Sequence, residues 1–143
     1  MLFSEAAGRG VVSLATAETI ATIAGFAVAP SPARVAGLRL KMRGPGTAIA
    51  WDRVQSFGPD AVTVRSADRI QSGEDVSEAL ADKRLDPLGK RLLTETGQVL
   101  GTLDDIDFDE TTGRVDRLIA GGQEYPGESL LGAGTYAVVI AAP

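Results

Sequence analysis

The densest group of ionisable side chains in the sequence is acidic and comprises Asp104, Asp105, Asp107, Asp109 and Glu110. Asp105, Asp107 and Asp109, with Asp116, fall at the first, third, fifth and twelfth places of a Ca²⁺-loop spacing, in which alternate oxygens converge on a hard cation. That loop needs glycine at its sixth place and a bidentate glutamate at its twelfth, where this chain has Glu110 and Asp116. The same residues read more simply as a strand. Acids at every second position form a solvated face, and Ile106 and Phe108 face a core. A weak cation site is the alternative. Gly121-Gly122 and Gly132-Ala133-Gly134 have neither the spacing of a phosphate loop nor a helix to open, so they read as turns.

Arg39, Lys41 and Arg43 form a basic counterpart, alternating with Leu38, Leu40 and Met42. This gives a strand with one basic and one buried face. The basic face is either solvated or meets a partner, and opposite charges across an interface mainly set rate and specificity. Self-association follows as a hypothesis, a possible homodimer in which the acidic strand near Asp107 meets the basic strand near Lys41. Trp51, the one tryptophan, reads as a core or rim residue or as an interface anchor. The interaction candidates are Trp51, Arg39, Lys41, Arg43, Asp105, Asp107 and Asp109. No catalytic residue, metal ligand set or cofactor is expected.

Composition narrows the chemistry. The sequence has no Cys and no His. Disulfides, thiolate metal sites and Cys nucleophiles are excluded together, as are triads with a histidine base. Carboxylate pairs, Lys or Tyr bases and oxygen-bound cations remain, but nothing in the sequence is arranged beside Lys90, Tyr125 or Tyr136 to support a base. The chain is therefore expected not to be an enzyme. The net charge is −5, with 8 basic and 8 acidic residues in 1–80 but 6 and 11 in 81–143. Direct nucleic-acid binding is not expected from an acidic chain, since phosphate neutralisation by Lys and Arg dominates that affinity. The most apolar stretch, Ile20 to Pro30, is interrupted by Thr22 and Gly25, whereas a membrane helix needs about 20 residues. No targeting segment is read at the start, and a cytoplasmic protein is expected.

The elements that carry these residues repeat. Gly8-Arg9-Gly10-Val11-Val12-Ser13 aligns with Gly89-Lys90-Arg91-Leu92-Leu93-Thr94. After a one-residue deletion in the next turn, Ile20-Ala21-Thr22-Ile23 meets Leu100-Gly101-Thr102-Leu103, Phe26 and Val28 meet Ile106 and Phe108, and Arg34-Val35 meets Arg114-Val115. Gly58 to Val64 then matches Gly134 to Ile140. In copy one, strands are expected at Val11 to Ser13, Ile20 to Val28, Val35 to Met42, Ala48 to Val54 and Ala61 to Val64. In copy two they are expected at Arg91 to Thr94, Val99 to Asp109, Arg114 to Ala120, Ser129 to Leu131 and Tyr136 to Ala141. Short strands with tight turns favour a small barrel or sandwich. Modules this small are marginal alone, so the halves should pack together. Between them a short helix is expected, with Ser72 as cap, Glu74 and Asp75 in its first turn, Val76, Ala79 and Leu80 at helical spacing, and Lys83 and Arg84 at its end.

Residues Leu88 to Val115 resemble the opening hairpins of the PRC-barrel family. The resemblance is carried by Leu100-Gly101-Thr102-Leu103, Asp105, Phe108, Asp109 and Thr112-Gly113-Arg114-Val115, with Tyr136 near the last strand. Copy one is a divergent version, with Pro32-Ala33 at the Thr-Gly turn and Ala24 and Ala27 where acids are expected. The resemblance implies an all-β chain of two tandem small PRC-type β-barrels of about five to six strands each. Its parts are a barrel at 1–66, a linker with a short helix at 67–87 and a second barrel at 88–143. The family includes a domain of the reaction-centre H subunit, the C-terminal barrel of ribosome-maturation factors, and many stand-alone bacterial and archaeal members that are uncharacterised or act as assembly and interaction modules. It implies a non-catalytic protein-interaction or assembly module. The alternatives are a ribosome- or RNA-processing-linked assembly factor and a small-ligand or cation-binding barrel.

Overall fold

A computed structural model describes the chain except residues 43–46 and 72–77, and except the side chains of residues 78 and 79. The first half contains α1 (Phe3–Ala6), β1 (Gly10–Ser13), β2 (Glu18–Ala29), β3 (Arg34–Lys41), β4 (Ala48–Ala50), β5 (Ser56–Phe57) and β6 (Ala61–Val64). After α2 (Glu78–Ala81), the second half contains β7 (Arg91–Thr94), β8 (Val99–Phe108), β9 (Val115–Ala120), β10 (Gln123–Pro126), β11 (Leu130–Ala133) and β12 (Ala137–Ile140). The strands form two six-stranded sheets, ordered β4-β3-β2-β1-β6-β5 and β10-β9-β8-β7-β12-β11. In each sheet the first and last long strands of the copy pair in parallel, β1 with β6 and β7 with β12. The other pairs are antiparallel.

The repetition extends to irregularities. β1 slips against β2 at Val11/Val12, and β7 slips against β8 at Leu92/Leu93. β2 is bulged against β3 at Ile23/Gly25 and Ala27/Val28, and β8 is bulged against β9 at Leu103/Asp105 and Asp107/Phe108. A bulge bends its strand and tightens the local twist. The long β2 and β8 can therefore pair with one neighbour early and with the other late while the sheet curls. The first bulge also breaks the simple alternation of β8, so its buried residues are Leu103, Ile106 and Phe108.

Three strand expectations change in the structure. The strand expected over Ala48 to Val54 stops at Ala50, and Trp51–Arg53 is a 3-10 turn. The break re-aims Trp51 toward the other half. β5 and β10 were not expected. β5 has only two residues, and β10 alternates little and stays largely exposed. The linker contains α2 and a 3-10 turn at Lys83–Leu85. Ser72, Glu74, Asp75 and Val76 lie outside the described residues.

The halves join edge to edge and exchange their lead-in segments. The Val35 N–H donates to the Gly113 carbonyl at 2.7 Å and the Val115 N–H donates to the Ala33 carbonyl at 3.0 Å. These two bonds link equivalent positions of the two copies, so the joint has local pseudo-twofold symmetry. Residues 1–6 cross onto barrel two, where Leu2 bridges Asp107 and the Phe108 N–H donates to the Met1 carbonyl at 2.8 Å. Residues 80–86 lie on barrel one. Leu80 covers Gly37, where a Cβ would come within 2.7 Å of its Cδ2.

The core is continuous across this joint. All four phenylalanines and the tryptophan meet there. Phe3 stacks on Phe26 with centroids 3.9 Å apart, and both contact Phe108. Phe57 reaches Phe108 edge-on at 5.3 Å. Phe3 and Phe108 are fully buried. Aromatic side chains contribute large buried areas and favour such tilted contacts.

Candidate interaction surface

The acidic strand is covered rather than freely solvated. Asp105 accepts from the Ser4 N–H at 3.1 Å, from the Ser4 hydroxyl, and from the Ile106 N–H at 3.0 Å. Asp107 accepts from the Met1 amino group at 2.9 Å and from Arg117 Nε at 3.0 Å. Burial acts against the charge on Asp107, but these two cationic partners outweigh it and hold its carboxyl below the usual carboxylate range. Asp109 caps its hairpin turn, accepting from the Thr111 and Thr112 N–H groups at 2.7 and 3.1 Å. Those bonds favour its ionised form and lower its pKa. The acids of the Ca²⁺-like spacing thus have separate structural partners. Asp116 pairs with Arg114, and among the described residues no group of three or more acids is gathered to hold a metal.

The basic strand divides in two. Arg39 is only 18% exposed and pairs with Asp86 at 3.2 Å, over a Gly25 whose missing Cβ makes room for both. It ties the linker to barrel one. Lys41 is exposed at the end of β3, and Arg43 lies outside the described residues. Trp51 is half-buried, stacks with Phe57, and lies over Gly113 of the other copy. A Cβ at Gly113 would come within 2.8 Å of the indole. Trp51 therefore anchors the interface inside the molecule. Phe3, Arg34, Asp52 and Glu128 received no role from sequence reasoning. The aligned Arg34 and Arg114 were a signal that could have found the joint.

A shallow groove runs over the joint. At one end a depression of about 300 Å³ is lined by Arg34, Val35, Trp51, Asp52 and Thr112, among others. At the other, a depression of about 350 Å³ includes Pro32, Arg114, Val115, Glu128 and Leu131. The ends are related by the pseudo-twofold. Arg34 corresponds to Arg114, and Asp52 and Glu128 are each the middle residue of the 3-10 turn that follows β4 or β10. Leu131 is 48% exposed and Tyr136, just before the last strand, is 69% exposed.

Fold and surface thus define a duplicated small β-barrel whose two copies share one core. Residues 83–140 match the family profile of the PRC-barrel domain, and this part of the chain is a PRC-barrel domain. The first half repeats its strand order, register shifts and parallel closure, so the chain carries two tandem barrel-like domains. No curated protein matches the chain. Among the described residues no helix is long and apolar enough to cross a membrane.

Proposed function

We propose that this protein is a non-catalytic interaction and assembly module that works in the cytoplasm and docks a protein partner over the joint between its barrels. The carrying observation is the use of its polar groups. Asp105, Asp107, Asp109 and Arg39 each serve an internal contact, while the groove over the joint offers apolar walls and two exposed arginines. Protein docking suits such a surface, because an interface core is built on apolar and Arg contacts within a polar rim. The test is site-specific photo-crosslinking in the native cell, with the probe at Leu131 beside the groove and a control probe at Leu14 on the β1–β2 turn. A distinct protein cross-linked from position 131 and not from 14 supports the reading. Self-links alone, or turnover of a small molecule by the purified chain, overturns it.

A further inference from the structure

The joint places two arginines opposite each other in the sheet. Arg34 and Arg114 are directly opposed on an antiparallel bridge. The flanking bonds run from Val35 to Gly113 and from Val115 to Ala33, so 34 and 114 form a non-hydrogen-bonded pair. In such a pair the Cα atoms approach to about 4.5 Å and the side chains leave the sheet on one face, closer than in the alternate register. Like charges directly opposed in a sheet are destabilising. The chain offsets this only in part. Arg34 Nη1 donates to the Pro30 and Pro32 carbonyls at 2.9 and 3.0 Å, and Arg34 meets no carboxylate at ion-pair distance among the described residues. Arg114 Nε meets Asp116 at 2.9 Å in an exposed pair. Arg34 and Arg114, with Thr112, Pro32 and Ala33, line a depression of about 270 Å³ at the joint.

We infer that this depression is a carboxylate-binding site, and that the partner presents one Asp or Glu side chain, or a terminal carboxylate, between Arg34 and Arg114. This deepens the interaction-module reading and rests on it. Guanidinium groups present rigid donor forks that match a carboxylate. An incoming carboxylate removes the like-charge repulsion as it gains its own hydrogen bonds. The rim sets the rest of the specificity. Asp52 stands at one end of the groove and Glu128 at the other, so a chain of many negative charges is repelled on both sides while a single central one is admitted. Trp51 and Leu131 provide apolar ground beside them. The occupant is an extended protein segment with one central acid flanked by apolar and basic residues, and a nucleic-acid strand is disfavoured by the same rim.

The probe is a library of random heptapeptides displayed on phage and selected on the immobilised full-length chain. Enrichment of peptides with an acid at one fixed place is expected. Replacing that acid by its amide should weaken binding by roughly tenfold or more, as loss of a charge-assisted bond predicts. Arg34→Gln with Arg114→Gln should do the same, and Arg34→Lys with Arg114→Lys should restore part of the affinity by keeping charge without the fork. Both arginines are exposed, and Arg114→Gln alone disturbs only a surface pair, so it reports even if the double variant unfolds. Peptides that bind regardless of Arg34 and Arg114 overturn this site and leave the interaction reading standing. Failure to select any peptide overturns the site as well. Equal competition by inorganic phosphate or an oligouridine overturns the assignment to a carboxylate segment.

Discussion

Ser13 and Thr94 occupy equivalent places at the ends of β1 and β7, and both are buried. The Thr94 hydroxyl bonds the Thr96 hydroxyl at 2.9 Å and the Gln98 N–H at 3.1 Å. Among the described residues the Ser13 hydroxyl has no partner, and Ala15 stands two residues on, where copy two has Thr96. Removing an unsatisfied buried hydroxyl relieves its desolvation, while removing a satisfied one strands its partners. Ser13→Ala should leave stability unchanged or raise it, and Thr94→Ala should lower it by about 1 kcal/mol in urea unfolding. Ala17 closes the same turn at φ +58°, where copy two has Gly97 at +88°. A left-handed residue with a Cβ costs about 1–2 kcal/mol, offset by the greater freedom of glycine in the unfolded chain. Ala17→Gly should therefore raise the urea midpoint, with a gain of about 0.5–1 kcal/mol. Asp107 supplies the pH dependence. Its folded pKa is lowered, so its contribution is present above the unfolded carboxylate value of about 3.9 and disappears as pH falls through the folded value. Asp107→Asn should cost about 1–2 kcal/mol at pH 7, and the gap between variant and parent should close as the unfolding series is carried below about pH 4. A gap that persists there would mean the carboxylate charge is not what the site uses.

At the scale of elements, the hairpin turns of the two copies have different partners across the joint. Gly113 stands at φ +80° beneath the Trp51 indole. Gly113→Ala meets both obstacles, a left-handed backbone and a ring that cannot move aside as a flexible chain end would. Its cost should reach about 2 kcal/mol or more, and in a Trp51→Ala background only the backbone part, about 1–2 kcal/mol, should remain. A thermodynamic cycle of the four proteins measures that coupling, and equal costs in both backgrounds would show that the indole does not press on this turn. The same region shows what the sequence discloses. β1, β2, β3, β7, β8 and β9 are long or regularly patterned, and their apolar positions align between copies, so duplication and barrel class are legible without coordinates. β5 and β10 are not, because two residues make no period and a mostly exposed edge strand has no apolar alternation. Asp105 and Asp107 follow a regular spacing, yet spacing cannot reveal that residues distant in sequence come to lie over them. Ser4 and the Met1 amino group cover this face, and nothing in their local sequence marks them for it. The groove has the same cause, since Arg34 and Arg114 become a pair only when the two hairpins meet.

For the whole molecule, the exchanged lead-in segments decide how stability is shared. Phe3 belongs to the first copy by sequence but is buried between Phe26 of one barrel and Phe108 of the other. Asp86 precedes the second copy and holds Arg39 of the first. Neither barrel can therefore complete its core or its edge from its own residues, and a module of about 60 residues has little stability to spare. The two halves should open as one unit. Native-state hydrogen exchange reads this directly, with the amides of Val11 in β1 and Leu92 in β7 as reporters of the two barrels. Their opening free energies should agree within error in the parent protein. Phe3→Ala, which empties a fully buried aromatic site, should lower both together by about 3–5 kcal/mol. Loss of protection at Val11 with Leu92 unchanged would instead describe two barrels that fold separately and only touch. The groove over the joint would then be a contact between neighbours, without the fixed opposition of Arg34 and Arg114 that a carboxylate site needs.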